Sequence, residues 1–174
     1  MWLAGLASVM TVQAQGTNGV ATTIGVYDSR AVAYAWFWSP AQQAKLKEQT
    51  DAARAAKTVG DPVKYKELGD ALRAGQDEMH RQVFSTAPAK EALATLRDQL
   101  PEIEKAAGVI GVVSKWDKAS LKQHPVATEI DVTDAMVRAL LKPTEKQAKA
   151  IEDLKKSVPM PLEKCNDLIR QGKM

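Results

Sequence analysis

The sequence predicts an α+β protein: a small three-stranded sheet body, an antiparallel helical hairpin inserted into it, and a helical C-terminal tail. Three observations carry this. Short β-branched or apolar runs stand at 23–27 (TIGVY), 109–114 (VIGVVS) and 126–132 (VATEIDV). Between the first and second lie two long stretches of good helix formers, parted by Gly60-Asp61-Pro62. After Pro143 the chain returns to capped helical patterns.

Taken in order, the first run has the branched and aromatic content of a strand. Asp28 and Ser29 then offer oxygen acceptors to the free N–H groups of a helix through RAVAYAW. Tyr34, Trp36, Phe37 and Trp38 are more apolar than one short helix can cover, so they are expected under another element or in a subunit contact. Ser39 at the N-cap and Pro40 at the first helical position start a helix that runs to Val59. From Val63 to about Phe84 a further helix carries Tyr65, Leu68, Leu72, Gly75 and Met79 at intervals of three and four. Gly75 weakens that helix by roughly 1 kcal/mol against Ala. Joined by so short a breaker, the two helices form hairpin arms over about 40–84 with solvated outer faces.

Helical register restarts after Pro88. The stretch 89–107 places Leu93, Leu96, Leu100, Ile103 and Ala107 on one stripe, with Pro101 as a kink or a fresh start and Gly108 as the stop. KWDKASLKQHP reads as an irregular connection between the second and third strands. Asp131 or Thr133 caps DAMVRALL, which ends before Pro143. Thr144 and Gln147 make a capping box for a helix carrying Ala148, Ile151 and Leu154, and Pro159-Met160-Pro161 separates it from a last short helix. Periodicity leaves open whether this tail packs on the body or extends from it. The expected divisions are a leader at 1–14, a body with its hairpin at 15–142, and a C-terminal helical extension at 143–174.

With 174 residues and 45% hydrophobic content the chain can form one real core. Its 24 basic residues face 21 acidic ones, and pairs such as Lys45/Lys47 and Lys155/Lys156 are isolated or interrupted by acids, so no nucleic-acid partner is expected. Residues 1–14 are uncharged and mostly apolar, ending in Val12-Gln13-Ala14. They read as a signal cleaved after Ala14, which predicts a periplasmic or other extracytoplasmic location. That run is too short to cross a bilayer, and no later stretch reaches the roughly 20 residues required.

Cys165, the single cysteine, excludes an internal disulfide and falls on the apolar side of a helical pattern with Leu162 and Ile169. Two histidines, His80 and His124, give no metal-ligand spacing, and no glycine-rich phosphate loop is present, so neither a metal nor a cofactor is expected. Ser29, His80 and Asp28 could be assembled into a hydrolytic triad, but nothing locates an oxyanion hole for it. Asp28 and Arg30 are the more credible polar site. Arg30 suits bidentate capture of a carboxylate or phosphate; against that stands a cap plus a structural ion pair. Trp116 lines a surface groove or covers the open edge of the core.

Three passages, IGVYDSRAVAYA, AGVIGVVSKWDKA and TEIDVTDAMVRALL, resemble the periplasmic Skp/OmpH family of outer-membrane-protein chaperones, over roughly Thr23 to Leu141. The resemblance implies a trimer whose small sheets build a body and whose helical arms enclose unfolded clients without ATP. It carries no catalytic residues. It would place Tyr34 to Trp38 and Val109 to Val113 in the body or a subunit contact. The chain departs from the family in two respects: arm helices of about 20 residues reach only about 30 Å, and the segment after Pro143 has no counterpart. A non-enzymatic, oligomeric, chaperone-like protein is the leading expectation; the alternative is a small-ligand-binding protein or enzyme using Asp28, Arg30 and His80, with Trp116.

Overall fold

The computed structural model describes residues 22–174, so the signal reading of 1–14 falls outside it. The chain is α+β, with a three-stranded parallel sheet ordered β2-β1-β3. Central β1 (Thr23–Tyr27) pairs with β2 (Val112–Ser114) and with β3 (Thr128–Asp131). Its Gly25 is required by crowding: a Cβ there would stand 3.1 Å from Val112 Cγ1 and 3.2 Å from Val132 Cγ2. Lys115, just beyond β2, reaches Asp131 at the end of β3 at 2.5 Å, fastening the two edge strands across the central one.

Asp28 follows β1 directly and caps α1 (Ser29–Phe37), its carboxylate accepting from Arg30 N. The helix is small and apolar nearly all round, and it lies between α3, α4, α7 and α8. Tyr27, Val32 and Ala33 meet Leu96, Val132 and Met136 in the main core.

The hairpin forms as expected, with Asp61 of the breaker serving as the second helix's cap. Ser39 caps α2 (Pro40–Thr58), Gly60 turns at φ 72°, and Asp61 accepts from Lys64 N at 2.9 Å to start α3 (Pro62–Phe84). Ala53 and Ala56 are buried toward the tip, where their small side chains let the helices approach. Nearer the body, Leu46 stays exposed and Leu72 half-buried, so the apolar seam there is left open.

Three elements differ from expectation, and the third strand, drawn over 126–132, is shortened to Thr128–Asp131. The helix drawn over 89–107 is two, α4 (Lys90–Leu96) and α5 (Leu100–Ala107), because Pro101 opens a new first turn. Gly108 stops α5 in the left-handed region at φ 66°. The second strand is shorter than 109–114 and half-buried; Ile110 N→Thr23 O and Gly25 N→Gly111 O already join the ladder, while Ile110 itself projects into solvent. The connection read as irregular contains α6 (Lys118–Leu121), capped by Asp117.

Asp131 Oδ1 accepts from Thr133 N at the start of α7 (Thr133–Leu140). The capping box of Thr144 and Gln147 opens α8 (Glu145–Lys156), which sets Ile151 against Ala31, Ala35 and Val137. The tail therefore packs on the body. Met160 pairs with the end of the hairpin through Met160 N→Phe84 O and Thr86 N→Met160 O, both 3.1 Å. Beyond it α9 (Leu162–Arg170) buries Cys165 beside the His80 carbonyl, and Asn166 accepts from Arg81 Nε at 2.9 Å.

Candidate functional site

Asp28, Arg30 and Trp116 converge. Arg30 Nε and Nη2 grip the two Asp28 oxygens at 3.1 and 2.7 Å, and Trp116 Nε1 donates to Asp28 Oδ1 at 3.1 Å. The guanidinium carbon lies 5.0 Å from the Trp116 ring centre, within cation–π reach. The remaining donors turn to the tail: Nη2 to the Leu154 and Ser157 carbonyls at 2.7 and 2.9 Å, Nη1 to Ser157 Oγ at 3.0 Å. Arg30 is 1% exposed. With four of its five N–H groups engaged on the chain itself, it has little left with which to seize an anion, and the arrangement acts as a fastener between the β1–α1 junction and the tail.

His80 is also buried, at 9% exposure, with its Nδ1 lacking a partner among the described residues and its ring tilted against Phe84 at 5.8 Å. It shares a cavity of about 490 Å³ with Arg30, Ser157 and apolar Leu154, Val158 and Met160. No catalytic chain links them: Ser29 Oγ donates to the Ala87 carbonyl at 3.1 Å and Asp28 is bound to Arg30, so neither is joined to the imidazole. Burial pushes the Cys165 thiol above its usual range.

The aromatic run behaves differently along its length. Trp36 and Phe37 meet edge-on at 4.8 Å, Trp36 Nε1 donates to Thr95 Oγ1 at 2.9 Å, and Tyr34 packs on both core clusters. Their need for cover is largely met within the chain. Trp38 remains 42% exposed. Together Trp36, Phe37 and Trp38 floor the body end of a groove of about 920 Å³ between α2 and α3. Leu46 lines one wall, Leu72 and Met79 the other, and Ile169 and Met174 of the tail close one end. Gly69 and Gly75 also line it, and a Cβ built on either meets nothing within 4 Å. The groove is thus long and open, part apolar and part peptide backbone.

The arms and aromatics were readable as sequence, but not the opening between them. Glu78, Gln82 and Glu91 were missed altogether: Gln82 is 1% exposed, and its Nε2 donates to Glu78 Oε1 at 2.8 Å and Glu91 Oε2 at 2.5 Å, beside the groove floor. The spacing of Glu78 and Gln82 signals contact on one helical face; the approach of Glu91 has no local signal.

Neither a scan against protein-family models nor searches of curated proteins and of solved structures finds a match to this chain. Among the described residues no helix is long and apolar enough to cross a membrane.

Proposed function

We propose that the protein is a non-enzymatic, exported, oligomeric binding protein that holds unfolded or membrane-destined polypeptides, in the manner of the Skp-like chaperones its sequence resembles. One observation carries this reading: the groove between the arms, floored by Trp36, Phe37 and Trp38 and open along its length. Apolar side chains of an extended segment gain by leaving water there, and the exposed helix backbone at Gly69 and Gly75 lets such a segment lie close. A shallow, mixed surface suits many sequences rather than one shape. The arms are too short to enclose a whole client, so the protein grips segments of it.

The alternative built on Asp28, Arg30 and His80 has less support, since Arg30 is committed to Asp28, Leu154 and Ser157. Periplasmic location belongs to the same proposal and rests on residues 1–14. The test dilutes a urea-unfolded outer-membrane protein into buffer with the protein in molar excess. Aggregation monitored by turbidity is suppressed, and the Trp38→Ser variant suppresses it less. Equal turbidity with and without the protein would remove the chaperone-like reading.

A further inference from the structure

We propose that the body end of the arm groove is a site for a cationic side chain, a lysine or arginine of the bound polypeptide. This rests on the polypeptide-binding reading and specifies its substrate class. Two carboxylates are drawn onto one neutral donor there: Gln82 Nε2 bonds both Glu78 and Glu91, from α3 and α4. Arg81 offsets only part of this charge. Its Nη1 reaches Glu78 Oε2 at 3.1 Å while its Nε is occupied by Asn166 in α9. Among the described residues Glu91 forms no ion pair and accepts a single side-chain hydrogen bond, from the Gln82 amide. The buried Gln82 Oε1 has no donor either, so the cluster has more acceptors than donors.

Glu78 and Glu91 line the same groove as Trp36, Phe37 and Trp38, and Asp77 adds a further negative charge. Carboxylates beside aromatic faces are complementary to an ammonium or guanidinium, which gains from both the charge and the ring quadrupole. The groove's own cations are Lys45 and Arg73. Arg73 stands at the midpoint of α3 and Lys45 in the second turn of α2, and neither forms an ion pair among the described residues. A bound segment is therefore selected for a basic residue next to apolar ones, with the basic residue directed at the body.

Three peptides of equal length and one apolar core, carrying Lys, Gln or Glu at a single adjoining position, are titrated into the full chain and followed by tryptophan fluorescence. The Lys peptide binds about tenfold tighter than the Gln peptide, and the Glu peptide binds weakest. The Lys-to-Gln ratio shrinks in about 0.5 M salt. Glu91→Gln keeps an amide oxygen for Gln82 but removes the charge, and brings the ratio toward one. Equal affinities in the native protein, or a ratio unmoved by both salt and Glu91→Gln, overturn the cation site and leave polypeptide binding standing. Failure of all three peptides to bind overturns both. A fluorescence change that follows protein concentration instead of peptide assigns the groove to a second copy and also overturns the proposal.

Discussion

Arg30 Nη2 donates to the carbonyl oxygen of Leu154 at 2.7 Å across 124 positions of sequence. The same guanidinium holds Asp28 two residues away, so one buried cation joins the end of the central strand to the end of α8. Its charge is balanced by Asp28 and its donors by backbone oxygens. Removing either side leaves a buried charge unmatched.

Replacing Arg30 with Met should therefore destabilise the fold by about 3–5 kcal/mol and loosen the tail more than the arms. Chemical unfolding gives the first quantity. Limited proteolysis gives the second, with cleavage expected to begin after residue 154. A variant as stable and as resistant as the native protein would show that the fastener contributes nothing.

Tyr27 is buried in the main core, and burial, helped by the nearby negative charge of Asp117, raises its hydroxyl from 10.0 to about 12. Below pH 10 both folded and unfolded chains keep this proton. Above it the unfolded chain releases the proton first, so stability falls as pH rises through the interval up to about 12. The loss amounts to roughly 3 kcal/mol from this group. Tyr27→Phe should flatten that limb in unfolding curves taken at stepped pH; an identical slope in both proteins rules Tyr27 out as its source.

Gly75 lies inside α3 with open space where a side chain would be. Gly75→Ala should raise stability by about 0.5–1 kcal/mol. Because the residue lines the groove, the same change should weaken peptide binding. Stability and fluorescence titration measured on one sample separate the two effects. A gain in stability with no loss of binding would mean that the groove's backbone face goes unused.

Assembly is expected at the sheet edges. β2 and β3 are both terminal in the sheet, and near them Val126 is 87% exposed, with Ile110 and Ile130 also open to solvent. Light scattering across a dilution series should give an oligomeric mass, a trimer on the family resemblance, burying about 1,200–2,000 Å² or more at the contact. Ile130→Lys should lower that mass. A monomer at every concentration would sink the assembly proposal.

Local chemistry made much of the fold readable. Asp28, Ser39 and Thr144 announce helix starts through their side-chain acceptors, and Gly60 and Gly108 mark turns. The division of 89–107 was half-visible in Pro101. Long-range geometry was not: nothing near Arg30 in sequence indicates Ser157, and nothing near Gln82 indicates Glu91. The candidate polar residues did meet, but their hydrogen bonds turn inward. The aromatic run was visible as excess apolar surface, whereas the groove that Trp38 lines depends on how far apart two helices stand.

The central position of β1 also orders events in time. The first strand made has both its partners at 112–131, so it must wait unpaired while the whole hairpin is synthesised. The arms, linked by a tight turn, can close locally on a fast timescale. The sheet forms only once residues to Asp131 have been made, and the Arg30 fastening only once Leu154 and Ser157 follow. A nascent chain would thus display its arms before it owns a body, and until β2 and β3 arrive its own strand β1 is itself an unfolded segment in search of cover.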